Sequence, residues 1–274
     1  MLELRGVSYR YPGFARRALV EVDLAIGDGE VVGIVGGNEA GKSTLCLVAS
    51  GLAPGSIGGS LGEGRLLVDG EPVTGRPVHE LAGRVAIGFQ DPATQLSGIA
   101  GSVVEEVALG PLHLGLPVAE TLARTRRALA TLGIEALAER HPSELSGGQA
   151  QLVVLASLLA MRPRHLILDE PTAQLDPAAT RLVADAISAL AAGGTSLLVA
   201  EHRTDLLARV CSRLVVLERG RIVADGPAAA LLADPREEVG PRRRELPPEP
   251  QGAVRLGREL AAAGFDAALA EAAG

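Results

Sequence analysis

Residues 31–35, Val-Val-Gly-Ile-Val, form an unbroken apolar run that leads directly into Gly36-Gly37-Asn38-Glu39-Ala40-Gly41-Lys42-Ser43. This segment matches G-x-x-x-x-G-K-[ST] and lies between an expected buried strand and a helix expected over 42–50, the context that motif requires. No other feature constrains the fold as much. A buried strand must end in a tight glycine turn, and a helix must leave that turn with its N-terminus facing it. Glycines let backbone N–H groups curl around a phosphate, and the helix N-terminus adds partial positive charge. Lys42 then supplies a point charge for β- and γ-phosphates, and Ser43 offers a hydroxyl to Mg²⁺.

His165-Leu166-Ile167-Leu168-Asp169-Glu170 reads as a second apolar strand, ending in two carboxylates. Many strands end in acidic turns, so this segment says little alone. Downstream of a phosphate loop, Asp169 is placed to hold Mg²⁺ through its water shell. Glu170 is placed as the general base that polarises an attacking water.

The hydropathy pattern supplies the rest of the scaffold. Strands are expected over 2–9 and 20–26, a glycine-rich loop over 54–64, and strands over 65–68 and 84–89. From 94 to about 161 the pattern turns helical, with helices over 103–109, 119–132 and 149–160. Strand 165–168, helix 177–191, strand 196–200, helix 204–210 and strand 213–217 then alternate, which implies parallel strands with crossover helices. Aromatic residues make up 2% of the chain and Trp is absent, so the core is built from Val, Leu, Ile and Ala. That suits a parallel sheet buried on both faces.

Other features narrow the function. The net charge is −7 and the main domain carries no basic block, which argues against nucleic acid as the principal ligand. Cys46 and Cys211 fit no metal or redox spacing and suggest a reducing compartment. The first residues carry charge and no signal-peptide core, and no run of about 18 apolar residues occurs, so a cytosolic chain is expected. Beyond 226 the character changes. Residues 234–250 hold five prolines and the cluster Arg242, Arg243, Arg244, and read as a linker. An amphipathic helix fits 251–264, with Val254, Leu256 and Leu260 near one side; a frayed tail and a docking element read equally well there.

Leu145-Ser146-Gly147-Gly148-Gln149 matches, residue for residue, the signature of the ATP-binding cassette family, and the chain resembles that family over residues 1–226. Two glycines opening a helix cost propensity, and they make sense where backbone N–H groups must approach a phosphate. The resemblance implies an α/β P-loop NTPase fold: a RecA-like core, an antiparallel β subdomain, and a helical subdomain at about 94–161 carrying the signature. It implies a nucleotide-binding domain over 1–226 and a C-terminal appendage over 227–274. It further implies ATP hydrolysis with Mg²⁺ and two sites completed only in a dimer, a homodimer or a pair with a paralogous ATPase. In the family the signature contacts ATP held by the opposite subunit.

By the same resemblance Tyr11 stacks on adenine, and the loop from Gly36 through Ser43 and on to Thr44 holds the phosphates. Gln90 contacts Mg²⁺ and relays motion to a membrane partner, His202 contacts the γ-phosphate, and Asp176 lies in the segment crossing the dimer interface. Departures are Gly37 and Glu39 in the phosphate loop, with Glu39 expected to face solvent, and Ala150 and Leu152 after the signature.

Residues 90–96 and 104–111, with Leu246-Pro247-Pro248 and Ala263-Gly264-Phe265-Asp266, resemble the energy-coupling-factor transporters. That subgroup implies uptake of a vitamin or transition-metal ion, a transmembrane coupling subunit, a substrate-binding membrane subunit, and peripheral attachment at the cytoplasmic membrane face. The ATPase of an ordinary binding-protein-dependent importer is the nearest alternative. A soluble cassette acting on ribosomes or DNA would be expected to show a tandem cassette, a coiled-coil insertion or a basic arm, and a small-molecule kinase has no use for residues 145–149.

Overall fold

The computed structural model describes residues 1–232. Its elements, in chain order, begin with β1 (Leu2–Val7), β2 (Val22–Ile26), β3 (Val31–Val35), α1 (Lys42–Ala49), the single turn α2 (Leu52–Gly55), β4 (Arg65–Val68), β5 (Glu71–Pro72) and β6 (Val85–Gly88). A helical region follows, with α3 (Val103–His113), α4 (Val118–Thr131) and α5 (Gly147–Met161). The chain then alternates through β7 (His165–Asp169), α6 (Pro177–Ala192), β8 (Ser196–Ala200), α7 (Thr204–Val210), β9 (Arg213–Glu218), β10 (Arg221–Pro227) and α8 (Ala228–Leu232).

Two sheets result. The smaller is antiparallel in the order β2-β1-β4-β5; the larger runs β10-β9-β3-β8-β7-β6 and is parallel except for β10. Strands buried on both faces read as continuous apolar runs, and here alternate residues serve two different cores. Leu166 and Leu168 of β7 pack with Leu197 and Val199 of β8 among α5 side chains such as Val154 and Leu158. Ile167 and Leu198 face the other way, toward Leu45 and Val48 of α1 and Leu4 and Leu24 of the small sheet. The parallel sheet is thus the wall between two cores. Truncating a residue such as Leu168 to Ala would cost about 2–5 kcal/mol.

Four local features differ from the sequence expectation. Helix α3 continues through Gly110 and Pro111 to His113. Helix α5 starts at Gly147 because Ser146 and Gln149 form a reciprocal capping box. Strand β5 and strand β10 were not expected; each follows a two-residue turn with both residues at positive φ, Asp69-Gly70 and Arg219-Gly220. Such turns match the twist of an antiparallel pair. Strand β10 and α8 run past residue 226, and Ala228 N–H donates to the Ser212 carbonyl at 3.0 Å. The linker and appendage expected at 234–264 lie outside the described residues.

The Asp69 turn also ties the two sheets together. Its carboxylate accepts from His165 Nε2 at 3.0 Å, and Arg84 and Arg164 lie 3.4 and 3.2 Å away. Burial pushes the His165 imidazole below its usual range, against the pull of Asp69. Burial would raise the Asp69 carboxyl, but the bond from His165 and the positive charge of Arg164 hold it below the usual value. Asp69→Ala strands a buried imidazole donor and is expected to cost about 1–3 kcal/mol in denaturant unfolding at pH 7.5. His165 accepts a proton more readily in the unfolded chain, so its share of stability is present above about pH 6.5 and is lost as pH falls. The unfolding free energy of His165→Asn should therefore drop less than that of the unaltered chain between pH 7.5 and 5.5.

Candidate functional site

Strand β3 sits between β8 and β9, and its carboxyl end opens into the phosphate loop. Glu39 and Gly41 have positive φ, at 61° and 105°. A Cβ on Gly41 would lie 2.9 Å from the Ala18 carbonyl, so glycine is required there on both counts. Glu39 is exposed, as expected of a carboxylate beside a phosphate site, and so are Gly37 and Asn38, while Ala40 is buried. The Lys42 ammonium turns back onto the loop, donating to the carbonyls of Gly36 at 2.9 Å and Gly37 at 3.2 Å. Burial lowers its pKa, with Glu170 and Asp169 opposing the shift. The Ser43 side chain is open to solvent.

Asp169 ends β7, 7% exposed, and its Oδ1 has no hydrogen-bond partner. Burial raises its carboxyl pKa; the Ser43 hydroxyl works against this and the Glu170 charge adds to it. An orphaned buried carboxylate oxygen beside an open hydroxyl fits Mg²⁺, which takes one or two carboxylates together with substrate phosphates. Among the described residues no group of three or more His, Cys, Asp or Glu forms a self-contained metal cage.

Sheet register assembles the remaining chemistry. Strands β6, β7 and β8 are parallel neighbours, with Gly88 opposite Leu168 and Asp169 opposite Ala200. The first one or two residues beyond each strand therefore emerge along one edge. Gln90 Nε2 donates to Glu170 Oε2 at 2.9 Å, and His202 Nε2 lies 2.9 Å from Glu170 Oε1. Glu170 itself is held at φ 49° with its N–H on the Ala200 carbonyl at 2.8 Å. Gln90 and His202, 112 positions apart in sequence, thus meet on one carboxylate.

Tyr11 is hydrogen-bonded through its hydroxyl to Thr44 Oγ1 at 3.1 Å, and its ring meets Tyr9 edge-on at 4.9 Å. It lines a cavity of about 300 Å³ shared with Phe14, Arg16, Arg17, Ser43 and Arg219. The sequence reading passed over Phe14 and these arginines. The Arg16-Arg17 pair following Phe14 was the available signal, whereas Arg219 reaches the cavity only because the β9–β10 turn folds back on the loop, Gly220 N–H donating to the Ala40 carbonyl at 2.8 Å.

The signature segment lies apart from this cluster. No hydrogen bond links it to the phosphate loop among the described residues. Ser146 and Gln149 are engaged in capping α5, and Gly147 and Gly148 are overlaid by Gln174, whose carbonyl would sit 3.0 Å from a Cβ on Gly148. Asp176 caps α6, its Oδ1 accepting from Ala179 N–H at 2.8 Å.

The family profile for the ABC transporter matches residues 19–173. A cobalt import ATP-binding protein of Rhodobacter capsulatus is 41% identical over 85% of this chain and 81% of its own length. A putative ABC transporter ATP-binding protein of Streptomyces coelicolor is 39% identical over 90% of each. Among solved structures, cbiO1 of Clostridium perfringens, described as part of the transporter complex cbiONQ, superposes with TM-score 0.72 at 33% identity, covering 84% of this chain and 89% of that one. A cassette dimer bound to ADP and phosphate gives TM-score 0.73 at 25% identity, covering 83% and 99%. The chain belongs to the ABC transporter family, and it is an ATP-binding, ATP-hydrolysing transporter subunit. No helix among its described residues is long and apolar enough to cross a membrane.

Gly41→Ala is expected to cost about 1–3 kcal/mol through strain at positive φ, and to weaken ATP binding at least about tenfold by displacing the N–H groups of the loop. Thermal unfolding and equilibrium binding of a fluorescent ATP analogue read the two effects separately.

Proposed function

We propose that the chain is the ATPase of an energy-coupling-factor importer for a vitamin or a transition-metal ion, attached at the cytoplasmic face of the membrane. It works as a dimer, with itself or with a paralogous ATPase, against a transmembrane coupling subunit that is joined by a substrate-binding membrane subunit. The observation that carries this reading is the Glu170 carboxylate held between Gln90 and His202 beside Lys42 and Asp169. The cobalt-import role named for the Rhodobacter relative and the transporter complex named for the Clostridium structure favour this subgroup.

The residues divide the work. Tyr11 and Thr44 face the cavity where the base and sugar belong, with Phe14 and the arginines on its other walls. The phosphate loop from Gly36 to Ser43, with Lys42 released from its carbonyl bonds, holds the phosphates. Ser43, Asp169 and Gln90 would hold Mg²⁺, which supplies charge neutralisation at the transferring phosphoryl group. Glu170 accepts the proton of the attacking water, and His202, bonded to its other oxygen, orients the carboxylate and reaches toward the γ-phosphate. Ser146, Gly147, Gly148 and Gln149 present the N-terminus of α5 to the nucleotide of the opposite subunit. Asp176 holds the segment that crosses between subunits. Gln90 stands two residues beyond β6, so displacement of its side chain is passed to the helical region and from there to the membrane partner.

Glu170→Gln keeps the hydrogen-bonding shape but removes the base. It should bind ATP normally, lower turnover by about 10²–10⁴-fold and trap a dimer by size-exclusion chromatography. Normal turnover would remove Glu170 from the role of base. Lys42→Ala should instead weaken nucleotide binding, and unchanged affinity would contradict the phosphate-loop assignment.

A further inference from the structure

Glu201 is a carboxylate only 3% exposed, and no cation lies within ion-pairing distance of it among the described residues. Burying an unpaired charge is costly unless hydrogen bonds replace its hydration. Both of its oxygens are in fact occupied. Oε2 accepts from the Thr172 hydroxyl at 2.6 Å, and Oε1 accepts from the backbone N–H groups of His202 at 2.8 Å and Arg203 at 3.3 Å. The main chain at Glu201 is fixed as well, its N–H meeting the Ile34 carbonyl of β3 at 3.4 Å.

We infer that Glu201 is a positioning residue for the hydrolytic site, setting where His202 stands by gripping its main chain and locking that grip to Thr172. The geometry carries this directly. The His202 side chain bonds Glu170 Oε1 while its own backbone N–H bonds Glu201 Oε1. Thr172 lies two residues beyond Glu170 and is 1% exposed. A closed path therefore runs from Glu170 through His202, Glu201 and Thr172 back to the chain that bears Glu170. A ring of this kind fixes the imidazole relative to the carboxylate without relying on the sheet alone. The charge of Glu201 has a use here, because charge-assisted bonds are shorter and stiffer than neutral ones, and a neutral acceptor would grip two N–H groups less firmly.

The same ring has a second consequence. Thr172 starts the turn leading to Gln174, which covers the signature glycines. Repositioning of Glu201 is thus felt both at His202 and at the segment lying over Gly147 and Gly148.

The inference rests on the proposed roles of Glu170 and His202, and the test separates the two levels. Steady-state ATP turnover and ATP binding are measured on the full chain carrying Glu201→Ala, Glu201→Gln, Thr172→Val, His202→Ala and the double change Glu201→Ala with His202→Ala. Glu201→Ala is expected to lower kcat by about 10–100-fold while ATP affinity stays within about twofold. Glu201→Gln keeps an acceptor and should recover most of that loss, and Thr172→Val should fall between. In the His202→Ala background, Glu201→Ala should cost nothing further, because its effect passes through that imidazole. Folding is checked by thermal unfolding, and if Glu201→Ala fails to fold, Glu201→Gln and Thr172→Val in both backgrounds give the same cycle. Full activity of the Glu201 variants, or losses that add to that of His202→Ala, would overturn the positioning role and leave the site reading standing. Full activity of His202→Ala would overturn both.

Discussion

The carboxylate of Glu170 stands where three strand ends converge, and most of the architecture can be read as what is needed to put it there. Strands β6, β7 and β8 run parallel in register, so Gln90, Glu170 and His202 leave the sheet side by side although they are far apart in sequence. A parallel sheet demands crossover helices and two covered faces. The chain meets that demand by sorting alternate residues of each strand into separate cores, Leu166 and Leu168 to one and Ile167 to the other. Remove the register and the site dissolves, even with every side chain still present.

The charges at that edge are held in tension. Asp169 and Glu170 are adjacent, Asp169 is buried with an oxygen unpartnered, and Lys42 nearby is itself desolvated and bonded only to loop carbonyls. Such an arrangement is costly, and the phosphates of a bound nucleotide, with the divalent cation proposed above, would offset that cost. The same cost makes nucleotide binding capable of driving movement, since a ligand shifts an equilibrium only by the difference in its contacts between states. Elsewhere polar side chains hold the scaffold together. Asp69 binds the small sheet to the start of β7, Ser146 and Gln149 close the first turn of α5, and Asp176 closes that of α6.

What the sequence revealed follows from how local each signal is. The phosphate loop, the Asp169-Glu170 strand end and the signature are contiguous segments whose chemistry dictates their own surroundings, and the structure places each on the expected element. The crossover helices were legible because each carries a long period. Strand β5 has two residues, too few for any period, and edge strand β10 is half exposed; only the Asp69-Gly70 and Arg219-Gly220 turns announced them. Glu201 gave no signal of its own, since a buried carboxylate and its hydroxyl donor Thr172 are 29 positions apart. Gln174 over Gly147 and Arg219 at the Tyr11 cavity were hidden for the same reason: tertiary proximity leaves no spacing to find.

The central claim, that ATP hydrolysis at this site moves a membrane partner, is tested most directly by purifying the tagged full chain from detergent-extracted membranes of its own cells and identifying what accompanies it. Co-purification of an integral membrane coupling protein, together with a small substrate-binding membrane protein, is the predicted result and would name the cargo. Recovery of ribosomal or DNA-repair proteins with no membrane protein would contradict the transport role and leave only an ATPase.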